Sequence, residues 1–470
     1  MGDEIARRHF NAEDFTRFRR HLDQETDLVG SLFAHDGFSH RGDIVGFELE
    51  AWLVDEAGQP AARNAAFLDE LGNPLVVPEL AAFNIELNGS PCAMTGRVFA
   101  RLHDELAATW EACQQTARSQ NLQLAIIGIL PTISPALLNS GSMSNMVRYQ
   151  ALNDRVLALR NGAPVEVDIE GYDTLRLSHD DVMLEAATTS FQIHLQCQPH
   201  LAARTYNAAL AASAPMVALA ANSPFLFGKS LWQETRIPLF EQAVSVGPRT
   251  PARVSFGSGY ADESLFEIFS ENLAEHPILL PSPTGEPAYK LSHIRLHNGT
   301  IWRWNRPLLG FDFDGQPHLR IEHRVVPAGP TIPDCIGNAA VFLGMVRALM
   351  DAETPIESDL DFAAARYNFY AAARQGLDAR LRWRDGMHGA RELLLEELLP
   401  AASDALGRLD IPDDDIDRFL GLVRDRVESN TNGATWQRRW VEKYGADLGA
   451  LTNAYVEAQQ SGEPVHEWSL

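Results

Sequence analysis

Between about residue 40 and about residue 345 the chain alternates two kinds of hydrophobic pattern. In GFELEAWLVD (46–55) apolar and polar positions trade places at every step, so Phe47, Leu49 and Ala51 share one side of an extended chain and Glu48 and Glu50 the other. The same two-residue period returns in FNIELNGSP, where Glu86 and Asn88 oppose Ile85 and Leu87. It returns again in SFQIHLQ, where Gln192, His194 and Gln196 oppose Phe191, Ile193 and Leu195, and in LRIEHRVVP, where Arg320, Glu322 and Arg324 oppose Leu319, Ile321 and Val325. Four strands are expected, each with one apolar side. Between them, stretches such as GRVFARLHDELAATWEACQQTARSQN carry apolar residues at helical spacing, and AALAASAPMVALAANSPFLFG reads as a buried alanine-rich helix. Asn298-Gly299, between two strand-like arms in HIRLHNGTIWRWNRP, predicts a hairpin turn. From Ala348 onward strand signals vanish, and DFAAARYNFYAAARQGLDARL and ARELLLEELLPAASDALGRL read as amphipathic helices. The pattern predicts an α+β or mixed fold, with a body over residues 1–347 and a helical C-terminal region over 348–470 packed on it.

The polar sides of the four strands are unusual in kind. A sheet face that only meets water favours Thr, Ser and Lys. Here the positions hold Glu, Asn, Gln, His and Arg instead. Several carboxylates and an imidazole brought to one surface repel one another unless divalent cations neutralise them. Oxygen-rich ligation with a single His suits Mg²⁺ or Mn²⁺ better than zinc. Arginines on the same face would hold anions brought by the metals, an arrangement matched to phosphoryl transfer from ATP. A salt-bridged polar face built for structure alone is the competing reading.

Composition narrows the classes further. The 470 residues carry 39 Lys+Arg against 63 Asp+Glu, a formal net charge of −24, which repels nucleic acid and anionic membranes. The four cysteines stand far apart with no C-x-x-C pair, which argues against a zinc knuckle or a disulfide scaffold and for a reducing cytoplasm. The N-terminal MGDEIARRHF lacks an apolar signal core.

Taken in order, GFELE, FNIELNGSP, TTSFQIH, AANSPFLFGK followed by Arg236, NRP at 305–307 and RIEHR resemble the carboxylate-amine ligase branch of the glutamate-cysteine ligase family, which has the glutamine synthetase catalytic fold. NFYAAARQGLDARL and NTNGATWQRRW are similar to that branch's C-terminal segments. The resemblance implies an α+β catalytic domain with a curved, mainly antiparallel sheet whose concave face is the site, and that Glu48, Glu50, Glu86, His194 and Glu322 bind the divalent metals that hold ATP. It implies that Arg324 grips a carboxylate or the moving phosphate, and that Arg236 and Arg306 are phosphate or substrate contacts. Asn88 and Gln192 fall where polar groups beside the metals would be useful, and Arg320 is a lesser candidate. The implied activity joins a small acid, L-glutamate first, to an amine such as cysteine through an acyl phosphate, with ATP and Mg²⁺ or Mn²⁺. A phosphagen-type kinase and a nucleotide-binding regulatory protein without turnover are the alternatives. A homo-oligomer is compatible with the size and charge.

Other motifs are weaker. FLFGKS (225–230) lacks the first glycine of a P-loop, and GSGYADE (257–263) lacks the third glycine of a dinucleotide fingerprint. Trp302 and Trp304 are expected to pack under the hairpin rather than to stack on adenine, and His293, His297 and His323 are expected to be structural. DIPDDDID (410–417) reads as a capped helix start rather than a calcium loop.

Overall fold

The computed structural model describes residues 4–247, 250–384 and 386–470. All four alternating segments form strands, Ile44–Val54, Asn84–Asn88, Phe191–Cys197 and Pro317–His323, and they lie side by side. Asn305–Phe311 and Val76–Pro78 complete the sheet at its two ends. The order across it is Asn305–Phe311, Pro317–His323, Phe191–Cys197, Ile44–Val54, Asn84–Asn88, Val76–Pro78, with every neighbouring pair antiparallel. Two short strands, Cys92–Ala93 and Gln123–Ala125, pair with the ends of the long Ile44–Val54 strand.

The register decides which side chains meet. Glu50 lies opposite Glu86, Glu48 opposite both Asn88 and Gln192, Glu322 opposite His194, and Arg306 opposite Glu322. Because side chains alternate, these residues share one face, and a slip of one residue in any pair would turn them into the core. The other face carries Leu49, Ala51, Ile85, Leu87, Ile193, Leu195, Leu319 and Ile321, all buried. Behind it packs the expected alanine-rich helix, Ala202–Ala220, 17 of whose 19 residues are buried.

A second apolar helix, Ile332–Asp351, lies against the first. It is long and apolar enough to cross a bilayer, but 83% of its apolar stretch is buried inside the protein, as in a core helix. It also runs through residues 347 and 348, and one hydrophobic core takes in side chains on both sides of that point. Helices Phe362–Gln375, Leu399–Gly407 and Asp413–Glu428 pack on this helical pair.

Two expectations fail. The segment around Asn298-Gly299 is no hairpin: Ser292–Asn298 is a helix, and Gly299, with φ −62°, is its C-cap rather than a left-handed turn residue. The Asn298 side chain is consumed in the core, donating to Pro307 O at 2.9 Å and accepting from Asn272 Nδ2 at 2.9 Å. The C-terminal region is not purely helical either. Arg380–Trp383 and Gly386–Gly389 form a small antiparallel ladder whose first strand is tied to the helix before it through Asn368, which accepts from Arg382 N at 2.7 Å.

Candidate active site

The polar face of the sheet walls a cavity of about 520 Å³. Glu48, Glu50, Glu86, Gln192, Arg306, Arg320, Glu322 and Arg324 all line it. Two sets of three ligand-type side chains form along the wall, each with its donor atoms within 4.8 Å of one another: Glu48, His194 and Glu322, and Glu50, Glu79 and Glu86. His194 Nε2 lies 3.5 Å from Glu48 Oε1 and 3.9 Å from Glu322 Oε1; it is buried and makes no hydrogen bond to a described residue. A buried ring nitrogen facing two carboxylate oxygens at such spacing fits a divalent cation between them. The second set is all oxygen, the donor type Mg²⁺ and Mn²⁺ prefer.

The five residues expected as ligands thus fall into both sets. Glu79, which completes the second, carries no strand pattern in the sequence, since it follows Val76–Pro78 by one residue. Its carboxylate accepts from Tyr149 Oη at 3.1 Å and from Leu80 N at 2.5 Å. Glu185 is a further carboxylate on the cavity wall that no alternation marks.

The arginines divide into two kinds. Arg306 donates through Nε and Nη2 to the two oxygens of Glu322, at 2.7 and 3.0 Å, in the two-pronged geometry that fixes a carboxylate plane. Arg324, just past the strand end, reaches Glu322 at 3.2 Å and donates to Gln192 Oε1. Gln192 in turn donates to Glu50 Oε1 at 2.9 Å, so one chain of contacts links the two ligand sets. Asn88 lies beside the cavity lining and donates to Glu86 Oε1 at 3.1 Å. Arg236 is different: it is buried outside the cavity lining, so the expected phosphate or substrate contact is not what its placement provides. Its guanidinium pairs with Glu234 at 3.3 Å, donates to the carbonyl oxygens of Arg324 (3.3 Å) and Val325, and lies 5.2 Å from the Trp304 ring. It braces the backbone that carries Arg324.

Electrostatics separates the carboxylates. Burial pushes Glu50 up, and Glu86 up to about 7 with Glu48 adding to the effect. Burial also lifts Glu79 well above the carboxylate range, reinforced by Glu50 and Glu86, and takes Glu185 up to about 8, with Glu50 adding. In Glu48 burial is outweighed by His194 and in Glu322 by Arg306 and Arg324, and both are lowered. The wall therefore has one half, at Glu48 and Glu322, where protein cations outweigh burial, and another, at Glu50, Glu79, Glu86 and Glu185, where burial and mutual repulsion outweigh the pull of Arg324.

Of the aromatic and histidine candidates, Trp304 is buried and donates to Glu241, while Trp302 lines the cavity. His293 bonds Glu25, His297 bonds Asn272 O and His323 bonds Asn305, each structurally, as expected.

A family model described as glutamate-cysteine ligase family 2 (GCS2) matches residues 44–460. The chain belongs to that family. The match spans both ligand sets, the arginines and nearly all of the helical C-terminal region. No curated protein matches the chain. Among solved structures, the glutamate-cysteine ligase of Francisella tularensis in complex with AMP is similar at TM-score 0.52 and 13% identity, over 92% of this chain and 96% of that one. A bifunctional glutathione synthetase from Pasteurella multocida is similar at TM-score 0.56 and 12% identity, over 94% of this chain and 54% of that one. The α+β architecture shared with these ligases is therefore the fold, and carboxylate-amine ligation is the class of chemistry its family supports.

Proposed function

We propose that the protein is an ATP- and Mg²⁺-dependent carboxylate-amine ligase that activates a small acid, with L-glutamate the first candidate, as an acyl phosphate and passes the acyl group to an amine such as cysteine. The observation that carries this reading is the pairing of two three-ligand sets around one cavity, with Arg306 and Arg324 woven between them. Glu48, His194 and Glu322 would hold one divalent ion, and Glu50, Glu79 and Glu86 another. Mg²⁺, or Mn²⁺ in its place, would neutralise the triphosphate and the charge that develops on phosphoryl transfer.

The chain's own groups do the rest. Arg306 holds Glu322 in plane, and Arg320 on the cavity wall offers a contact to phosphate oxygens. Arg324, braced from behind by Arg236 and directed by Gln192, sits where it can grip the acid's carboxylate or the moving phosphoryl group. A carboxylate oxygen of the acid attacks the γ-phosphorus and ADP leaves. The amine nitrogen then attacks the acyl carbon, and the carbon–oxygen bond to phosphate breaks with its electron pair going to phosphate. Binding both reactants in one walled cavity supplies proximity and excludes competing water. A chemistry fed by ATP and small metabolites is suited to the cytoplasm.

The test is ADP release by the purified protein with Mg-ATP and L-glutamate, with and without cysteine and a panel of other amines, beside Glu48→Ala. Amine-dependent ADP release that vanishes in the variant, with amide in the product, is the expected result. ADP release with a phosphorylated guanidinium compound and no amide would place the activity with phosphagen-type kinases, and tight ATP binding without turnover would point to a regulatory role.

A further inference from the structure

Every acidic residue of the cavity wall but one is engaged. Glu50 accepts from Ser190 N, Ser190 Oγ and Gln192 Nε2 at 2.8–2.9 Å, Glu79 from Tyr149 and Leu80, Glu86 from Asn88, and Glu322 from Arg306 and Arg324. Glu48 faces His194, and at the mouth Glu4 accepts from Arg148 N and Glu286 from Ser292. The Glu185 carboxylate makes no hydrogen bond or ion pair with any described residue, its backbone oxygen alone accepting from Thr188, and it belongs to neither ligand set.

Its placement is rigid. Glu185 sits in the 3₁₀ turn Val182–Ala187, whose other five residues, Val182, Met183, Leu184, Ala186 and Ala187, are all buried, so the turn is packed into the core and presents this one side chain. Asp181 caps the turn by accepting from Met183 N at 2.9 Å. Glu185 lines the same cavity as Glu50 and Arg324, whose charges act on it. The direct carboxylate contacts of Arg306 and Arg324, by contrast, go to Glu322 of the first ligand set. Holding a carboxylate half-buried with no partner is costly, and a cation brought by a ligand relieves that cost.

Resting on the ligase reading above, we propose that Glu185 is the acceptor-docking carboxylate: it takes the ammonium group of a positively charged primary amine and holds it beside the acyl phosphate. Discrimination then runs against uncharged nucleophiles and water, because these leave Glu185 unpaired. On attack the amine enters as the free base, having released one proton to water; the new carbon–nitrogen bond replaces the carbon–oxygen bond to phosphate, and the second proton, shed by the nitrogen, leaves with the phosphate.

Hydroxylamine, uncharged at neutral pH, separates the two readings. Wild type and Glu185→Gln are assayed with Mg-ATP and the acid panel, using hydroxylamine in one arm and cysteine, methylamine or ammonium in the other. The expected result is a loss on the order of 100-fold in kcat/KM for the cationic amines in Glu185→Gln, with hydroxamate formation retained, and partial recovery in Glu185→Asp. The hydroxamate arm reports at once that the variant folds and binds ATP. Equal loss in both arms, or a raised Mg²⁺ requirement in both, would overturn the docking role and make Glu185 structural or metal-binding. Wild type that forms hydroxamate but neither uses nor is inhibited by the cationic amines would overturn the acceptor class. Neither hydroxamate nor amide from wild type with any acid would overturn the ligase reading itself, and this inference with it.

Discussion

Glu79 and Glu86 face the same ligand set, yet only Glu86 could be read from the chain. Glu86 stands in a strand whose neighbours alternate, so its side is fixed by Ile85 and Leu87. Glu79 stands one residue beyond a three-residue strand, in VVPELAAF, where nothing periodic says which way it points. Only the tertiary pairing of Val77 with Glu86 brings the segment to the site. Its role is testable by exploiting the repulsion among Glu50, Glu79 and Glu86, which without a metal is a burden on the folded state. Glu79→Gln keeps the acceptor for Tyr149 and removes a charge. In EDTA it should therefore melt at or above the wild-type temperature, while the Mg²⁺ needed for half-maximal thermal stabilisation rises on the order of 10- to 100-fold. Titrating Mg²⁺ against melting temperature in both proteins checks this. A variant less stable in EDTA with an unshifted Mg²⁺ midpoint would mean that Glu79 serves packing alone.

At the scale of elements, what the sequence discloses depends on how local the cause is. The four strands were legible because the two-residue period is a property of each segment alone, and the convergence of their polar sides follows from antiparallel pairing in register. The Asn298-Gly299 turn failed because the asparagine is claimed by tertiary hydrogen bonds, accepting from Asn272 and donating to Pro307 O, and His293, Ile294 and His297 enter the core at helical spacing. The acidic DIPDDDID segment illustrates both outcomes. It does begin a helix, Asp413–Glu428, but without the expected side-chain cap, since Pro412 stands at the N-cap. Its buried Asp415, however, also accepts from the N–H groups of Phe99 and Ala100, at 3.0 Å each, and so caps a second helix, Val98–Ser119, whose own preceding residue provides no side-chain cap. A cap supplied 316 residues away in sequence leaves no local signature. Asp415→Ala should cost about 1–2 kcal/mol in urea unfolding, by the usual worth of a helix N-cap. Asp414→Ala, whose side chain is 62% exposed in its pair with Arg97, should leave the midpoint unchanged. Equal effects from the two would remove the capping explanation.

For the whole molecule, the C-terminal region is joined to the body through buried polar contacts as well as through the shared core. Asn222 donates to Tyr455 Oη at 2.8 Å and accepts from Gln437 Nε2 at 2.9 Å, while Gln459 bonds Ile126 N and Leu124 O beside the sheet. Glu241 is a third such junction. It lies on helix Arg236–Ala243 and accepts from Trp304 Nε1 at 2.9 Å and from Tyr370 Oη of the C-terminal region at 2.8 Å. Burial lifts its carboxyl from 4.5 to about 7, since the two neutral donors do not compensate for the loss of water. Between these values the folded chain binds more protons than the unfolded one, so stability declines as pH rises from about 4.5 to about 7 and then levels off. For a shift of this size the group's share of the decline is about 3 kcal/mol, as an order of magnitude. Glu241→Gln retains an oxygen acceptor for both donors and has no charge to bury. Against wild type, it should gain stability progressively through that window and hold the gain at pH 8. Urea midpoints measured in EDTA from pH 5 to pH 8 read this directly, the chelator keeping added metal from masking the slope. Parallel wild-type and variant curves would show that Glu241 ionises freely in the folded protein, and that the junction between the sheet body and the C-terminal helices is open to water.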